Sequence, residues 1–117
     1  MKVAELMNRE VLTLHPDDAL SRPKELVVEK RVRHFPVVDG GKLVGVLSDR
    51  DLIRTPDEAL VRDHMAEDVI TISSSEDVKD AALTMLTGSV GCLPVVDRGK
   101  LVGIITESDI LRLVAGE

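Results

Sequence analysis

The feature of this sequence that most constrains its fold is an internal repeat. Residues 3–54 align with residues 61–112 without a gap, and about sixteen of the fifty-two aligned pairs are identical. A duplication of this kind means that both halves form the same supersecondary unit. Each half is short for a core of its own, so we expect the copies to pack their sheets together about a pseudo-twofold axis. We therefore interpret residues 1–117 as a single module with repeat one at 3–54, a linker at 55–60 and repeat two at 61–112.

Each copy predicts the same order of elements, which is strand, helix, strand, strand, helix, in the α+β class. The first strand is short, alternates apolar and polar residues, and follows an amphipathic turn. The turns are expected at 3–7 and 61–65, and the strands at 11–14 and 69–72.

The first long helix of each copy has its own start signals. In repeat two, the serines at 73–75 are candidate N-caps, and Gly88 should end the helix. The apolar stripe predicted for this helix consists of Val78, Ala81, Ala82, Met85 and Leu86. In repeat one, Pro23 falls inside the expected helix, so we expect a late start, for example from Ser21, or a kink.

Two apolar runs around a glycine-containing turn then predict a hairpin in each copy. The turns are at 39–42 and 97–100, where glycine tolerates positive φ. A final helix is expected to open at Ser48 in repeat one and at Thr106 in repeat two.

Composition excludes several classes of protein. Hydrophobic residues make up 44% and charged residues 31%, as in soluble globular proteins, and the apolar runs are too short to span a membrane. No secretory signal is visible at the start, so we expect a cytoplasmic protein. The net charge of -6 and the single aromatic residue, Phe35, argue against binding of nucleic acid. Cys92 is the only cysteine, and we expect a buried, inert thiol.

The recurring motifs resemble those of a known family. Both copies contain Pro-Val-Val-Asp, at 36–39 and 94–97, and Gly-Lys-Leu-Val-Gly, at 41–45 and 99–103. The endings at 48–51 and 106–109 also correspond. The chain is similar over nearly its whole length to paired cystathionine-beta-synthase (CBS) repeats, the Bateman module. This resemblance implies a regulatory or energy-sensing module that binds AMP, ADP, ATP or S-adenosylmethionine in the cleft between its repeats.

The most informative pattern is a hydroxyl residue followed three positions later by a carboxylate. Ser48 precedes Asp51, and Thr106 precedes Asp109. The N–H groups at a helix start and the hydroxyl suit a phosphate, and a carboxylate can accept from both ribose hydroxyls. The resemblance implies the same roles. The same spacing is also typical of a capping box, which needs no ligand, and one hydroxyl can serve both purposes.

The resemblance also implies which residues surround the adenine. They are Thr13 and Thr71 on the first strands, with His34, Phe35 and Pro36 in repeat one and Cys92, Leu93 and Pro94 in repeat two. The alternative is that the threonines favour strands and that Phe35, Cys92 and Leu93 fill the core. Backbone groups beside the two prolines are the better candidates for recognition of the base.

The two copies differ in charge near this region. Arg50 is replaced by Ser108 in repeat two, and the basic run at 30–34 is replaced by uncharged residues at 88–92. Arg50 could pair with a phosphate or lie on the surface beside Asp49. We therefore expect two related sites with different affinities, of which the first is more favourable to anions.

No catalytic set or metal site is expected. His15, His34 and His64 are scattered, and the paired acids at 17–18 and at Asp49 with Asp51 suit turns and caps. We therefore expect no enzyme activity and no required cofactor. We also expect a regulated partner protein and a homodimer. The homodimer would form through the apolar residues of the last helix, which are Ile110, Leu111, Leu113 and Val114. The alternative is a purely structural dimerisation or interaction module with vestigial sites. Magnesium or nucleic acid as the ligand is a third hypothesis.

Overall fold

The two glycine turns form the hairpins that the sequence predicts. In the computed structural model, which describes residues 1–116, β1 (His34–Asp39) pairs antiparallel with β2 (Lys42–Ser48). The equivalent hairpin joins β3 (Cys92–Asp97) to β4 (Lys100–Thr106). Positive φ at Gly40 and Gly41 and at Arg98 and Gly99 gives turns whose twist matches that of the strands.

Helices and short 3-10 turns complete an α+β fold, as the sequence predicts. The helices are α1 (Val3–Leu6), α2 (Ser21–Lys30), α3 (Val78–Gly88) and α4 (Glu107–Ala115), and the 3-10 turns are Asp49–Leu52 and Val61–Asp63. No helix within residues 1–116 is long and apolar enough to cross a membrane.

The chain divides into two units whose boundaries differ from those of the repeats. The first-repeat unit consists of Leu12–Val69, and the second-repeat unit consists of Met1–Val11 with the chain from Ile70 onward. The opening turn of each repeat therefore belongs to the unit that contains the other repeat's hairpin. Asn8 exchanges backbone hydrogen bonds with Ile104 at 2.9 and 3.0 Å, and Ala66 exchanges them with Val46 at 2.9 and 3.0 Å.

Each unit has its own apolar core, built from its hairpin and the opening turn that joins it. The first core consists of Leu14, Leu20, Phe35, Val37, Leu47, Leu52 and Val61. The second consists of Val3, Met7, Ile72, Ala81, Met85, Leu93, Val95 and Ile105. Val61 and Val3 are both fully buried, so the opening turns contribute apolar surface to these cores.

The prediction of strands at 11–14 and 69–72 was wrong, because each segment makes only one bridge. Leu14 N–H donates to the Pro36 carbonyl at 3.0 Å, and the Leu14 carbonyl accepts from Val38 N–H at 2.8 Å. To extend this parallel ladder back toward residue 12, the N–H of residue 36 would have to donate a hydrogen bond, and proline has no N–H. Ile72 and Pro94 repeat this arrangement in the other unit. The proline of the repeated motif therefore limits the ladder to a single bridge.

Pro23 is accommodated by the late helix start that the sequence predicts. Helix α2 begins at Ser21, so Pro23 is its third residue, where the backbone N–H has no partner within the helix. The linker residues 55–60 are tied to this start: Ser21 N–H donates to Asp57 O at 2.9 Å, and Lys24 Nζ donates to Thr55 O at 2.6 Å.

Helix α3 ends at Gly88 as predicted, but its start and its apolar face differ from the prediction. The N-cap is Asp77, because the serines at 73–75 form a preceding turn. Val78, Ala81 and Met85 are buried, whereas Leu86 is 77% exposed. Leu86 lies about 100° around the helix from the middle of this buried stripe, which is too far to reach the core.

The final helix forms only in repeat two, so its prediction for repeat one was wrong. There the chain after Ser48 makes a single 3-10 turn, Asp49–Leu52. A helix as long as α4 would include Pro56, and a residue before proline avoids the helical region. The Thr55 hydroxyl instead donates to Leu52 O at 2.7 Å and closes the turn.

Candidate functional site

The first-repeat unit brings together most of the residues singled out in repeat one. His34 pairs with Ser48 at the open end of the hairpin. Thr13 directly precedes Leu14, whose N–H donates to the Pro36 carbonyl at 3.0 Å. Asp51 lies in the turn that follows β2, and its carboxylate accepts from Ser48 N–H at 2.8 Å and from the Ser48 hydroxyl at 3.1 Å.

The second-repeat unit has the same arrangement. Cys92 pairs with Thr106, and Ile72 N–H, next to Thr71, donates to the Pro94 carbonyl at 3.1 Å. The Asp109 carboxylate accepts from Thr106 N–H at 2.9 Å and from the Thr106 hydroxyl at 3.0 Å. Thr106 Oγ1 also accepts from Asp109 N–H at 3.3 Å, so this box is closed in both directions.

Both hydroxyl–carboxylate pairs therefore act as helix or turn caps, as one of the two interpretations predicted. In each capping box, the hydrogen bonds that the carboxylate accepts from the hydroxyl residue all go to its Oδ2 atom. A carboxylate has about four acceptor positions, so Asp51 keeps acceptor capacity for further donors. Asp109 keeps part of this capacity, because its Oδ1 also lies 3.5 Å from Arg112 Nη1. A hydroxyl has one hydrogen, which Ser48 and Thr106 would have to turn away from the carboxylate in order to donate to a phosphate.

The first backbone amide of each turn is already bonded, contrary to the expectation that it would be available to phosphate. Asp49 N–H donates to Arg33 O at 2.9 Å, and Glu107 N–H donates to Gly91 O at 3.0 Å. These bonds hold the residue before β1 or β3 against the turn that carries the carboxylate. Any phosphate here depends on side chains more than on this first amide.

The apolar residues of the two candidate sites belong to the cores. Phe35 and Leu93 are fully buried, and both prolines of the motif are buried as well. Their side chains therefore offer no exposed surface for stacking, and a base beside them would meet backbone atoms. Thr13 is half-buried, whereas Thr71 is exposed.

Cys92 is the buried thiol that the sequence predicts. Its side chain packs at the start of β3 with 7% of the residue exposed. Burial, with a smaller contribution from the negative charge of Glu107, raises its pKa to about 12. The thiol therefore stays protonated at neutral pH and is a poor nucleophile and metal ligand.

Sequence reasoning missed the role of the aspartate that ends each Pro-Val-Val-Asp motif. The Asp97 carboxylate accepts from Ser74 N–H at 3.0 Å and from the Ser73 hydroxyl at 3.3 Å. Hydrogen bonds from Ser74 lower the pKa of Asp97. In the other unit, Asp39 Oδ1 lies 3.3 Å from His15 Nε2, and His15 is the counterpart of Ser73. Recurrence of the aspartate before both turns was the available signal.

The paired acids and the histidine that precedes them also have structural partners. Asp18 accepts from His15 N–H at 2.8 Å, and Asp17 is hydrogen-bonded to Arg62, which lowers the pKa of Asp17. Among residues 1–116 there is no group of three or more histidine, cysteine or acidic side chains that could hold a metal ion.

Comparison with known proteins identifies the repeats. The family model described as CBS domain matches twice, at residues 3–58 and 61–116. The chain belongs to the CBS domain family. From residue 3 to residue 116 it consists almost entirely of these two CBS repeats, which confirms the resemblance drawn from the motifs.

Three proteins illustrate the similarity of this chain to known chains. An uncharacterized protein of Methanocaldococcus jannaschii is 40% identical over an alignment of 120 positions, which covers 100% of this chain and 40% of that protein. The CBS domain pair of protein MJ0100, solved with 5′-methylthioadenosine and S-adenosyl-L-methionine, is 28% identical with a TM-score of 0.92 and covers 99% of this chain and 97% of its own. CBSX2, solved with AMP, is 32% identical with a TM-score of 0.86. The match covers 98% of this chain and 96% of CBSX2.

This CBS domain pair spans less than two thirds of the curated relatives it matches. The share is 40% to 43% for the first three of them.

Proposed function

We propose that this CBS domain pair is a regulatory module that binds an adenosine-containing ligand, of the class of AMP, ADP, ATP or S-adenosylmethionine. The observation that carries the proposal is the repeated arrangement of a capped carboxylate, a hydroxyl and a motif proline at the open end of each hairpin. The adenosyl ligands in the similar CBS pairs of MJ0100 and CBSX2 support the choice of ligand.

Each site residue has a proposed role that fits its chemistry. Asp51 and Asp109 would accept from the ribose hydroxyls through the acceptor capacity that the capping box leaves. Ser48 and Thr106 would donate to a phosphate after turning their hydroxyl hydrogens. Backbone groups beside Pro36 would recognise the adenine in the first site, as would those beside Pro94 in the second.

The proposed role is regulatory and not catalytic. Asp18, Asp51 and Asp109 are engaged in turns and caps, His15 lies 3.3 Å from Asp39, and the Cys92 thiol is protonated. A ligand can then signal only if it binds one conformation of the module better than another. The receiver of that signal would be a partner protein.

Exposed apolar side chains on two contacting helices support a homodimer. Leu111 and Val114 of α4 are 66% and 80% exposed, and Leu83 and Leu86 of the neighbouring α3 are exposed as well. Exposed apolar patches on a small domain favour association. We propose that these helices form the contact between two copies.

Calorimetric titration tests the ligand proposal. AMP, ATP and S-adenosylmethionine are each titrated into the wild-type chain and into the Asp51→Asn and Asp109→Asn variants. Each variant should lose one binding event, because an amide replaces one ribose-accepting oxygen with a donor. Asp68→Asn, at an exposed acid outside both sites, is the matched control and should bind as wild type.

The same titration separates the proposal from a second candidate, a purely structural interaction module with vestigial sites. That candidate is favoured by capping boxes that are complete without a ligand. It predicts no heat with any of the three ligands and a melting temperature that does not change when they are added. This outcome would overturn the proposed ligand binding.

A further inference from the structure

The two candidate sites differ most at the positions that surround the carboxylate. Arg33 and Arg50 in the first-repeat unit correspond to Gly91 and Ser108 in the second. The two hairpins have the same strand register, and Leu14 N–H and Ile72 N–H each donate to the carbonyl of the motif proline. Asp51 lies in a single 3-10 turn, whereas Asp109 lies in the first turn of α4. The two arginines are thus a difference in side-chain charge between the sites.

The structure places both arginines at the edge of the first site. Arg33 is held there by its backbone, since its carbonyl accepts from Asp49 N–H at 2.9 Å. Arg50 is in the same 3-10 turn as Asp51, the proposed ribose acceptor. Both arginine side chains are exposed, and within residues 1–116 neither forms an ion pair with a carboxylate.

The local charges consequently favour an anion more in the first site than in the second. In the first, Arg33 and Arg50 balance the charges of Asp49 and Asp51. In the second, Glu107 and Asp109 occupy the positions of the two acids, Gly91 and Ser108 replace the arginines, and Arg112 forms an ion pair with Asp109 at 3.5 Å. The charge of Glu107 is felt within this site, because it adds to the burial that raises the pKa of Cys92.

We propose that the first site takes the polyphosphate members of the adenosine class, ADP or ATP, and that the second takes adenosyl ligands with one phosphate or none. This inference rests on the proposed function of both sites. Two guanidinium groups can each donate to phosphate oxygens beyond the first, whereas the second site has no cation at these two positions and carries the charge of Glu107. Each step in phosphate number thus increases affinity at the first site and decreases it at the second.

Single-site variants allow the two preferences to be measured separately. Asp109→Asn leaves the first site, and Asp51→Asn leaves the second. AMP and ATP are titrated into each by calorimetry in EDTA at low ionic strength. We expect ATP to bind the first site about tenfold more tightly than AMP, and AMP to bind the second more tightly than ATP. Higher salt should reduce the ATP preference at the first site.

Exchange of one residue between the copies tests the cause. In the Asp109→Asn chain, Arg50→Ser should reduce the ATP to AMP affinity ratio about tenfold with little change for AMP. In the Asp51→Asn chain, Ser108→Arg should increase that ratio. Lys42→Ser is the matched control, because Lys42 is an exposed cation at the turn end of the same hairpin, far from Ser48. It should leave the ratio unchanged.

The outcomes separate this inference from the proposed function. If no adenosyl ligand binds either single-site chain, the proposed function itself fails. If both chains bind but show the same ATP to AMP ratio, or if Arg50→Ser and Lys42→Ser have the same effect, adenosyl binding stands and the inference about phosphate number is wrong.

Discussion

Met65 packs directly over Gly45. A β-carbon at position 45 would lie 2.6 Å from the Met65 sulfur and 2.9 Å from the backbone oxygen of Ala66. Met7 and Asn8 have the same relationship to Gly103, at 2.8 and 3.0 Å. In both units, a glycine of the hairpin makes room for the opening turn of the other repeat.

Gly45→Ala should therefore destabilise the chain. The methionine side chain can move, but the Ala66 carbonyl is tied by its hydrogen bonds to Val46, so the added methyl group strains the backbone. We expect a loss of about 1–3 kcal/mol in the free energy of unfolding, measured by urea denaturation. Val28→Ala, at an exposed position, should change it by less than about 0.5 kcal/mol. An equal effect of the two substitutions would contradict the close packing.

Removal of the cap hydroxyls should affect the two repeats unequally. Thr106 Oγ1 accepts from Asp109 N–H and caps a helix of nine residues, so Thr106→Ala should cost about 1 kcal/mol without ligand. Ser48 precedes a single 3-10 turn, and Ser48→Ala should cost less. Thermal unfolding measures both, and Thr106→Ser should stay close to wild type because it keeps the hydroxyl. A larger effect of Ser48→Ala would be inconsistent with these caps.

Cys92 should make the chain less stable in alkali. Its pKa is about 12 in the folded chain and about 9 when the thiol is exposed to water. As the pH rises above about 9, the unfolded thiol loses its proton while the folded thiol keeps it, so the unfolded state is favoured. The stability should fall by up to about 1.4 kcal/mol for each pH unit between about 9 and 12 from this group.

Chemical denaturation at pH 8 to 10.5 measures this slope, and Cys92→Ala should reduce it. A thiol reagent at pH 8 should react slowly with the folded chain and quickly in urea. Fast reaction of the folded chain would show that the thiol is accessible and ionised, contrary to its burial.

A charge on α4 should prevent the proposed homodimer. Leu111→Asp combined with Val114→Asp places two carboxylates in the exposed apolar surface of this helix, where burial in a dimer would be costly. Light scattering after size-exclusion chromatography should change from a dimer to a monomer. Val28→Asp alters an equally exposed apolar residue on α2 and should leave the dimer intact. A dimer that persists in the α4 variant would exclude this helix as the contact.

Features that depend on neighbouring residues in the sequence were predictable. The hairpin turns follow from glycine at positive φ, and the capping boxes follow from a hydroxyl and a carboxylate three residues apart. The late start of α2 follows from the restricted backbone of Pro23. The similarity of the copies was sufficient to indicate the CBS family, because all the motifs occur twice.

Features that depend on distant partners were decided by the tertiary structure. The opening turns join the opposite hairpins because Gly45 and Gly103 leave space for a methionine, and this fit is invisible in either repeat alone. The first strands shrink to one bridge because Pro36 and Pro94 lack the N–H that a second rung needs. The sequence by itself determined the repeated units and their caps through local backbone chemistry, whereas the pairing of segments depended on packing and on hydrogen-bond donors far away in the chain.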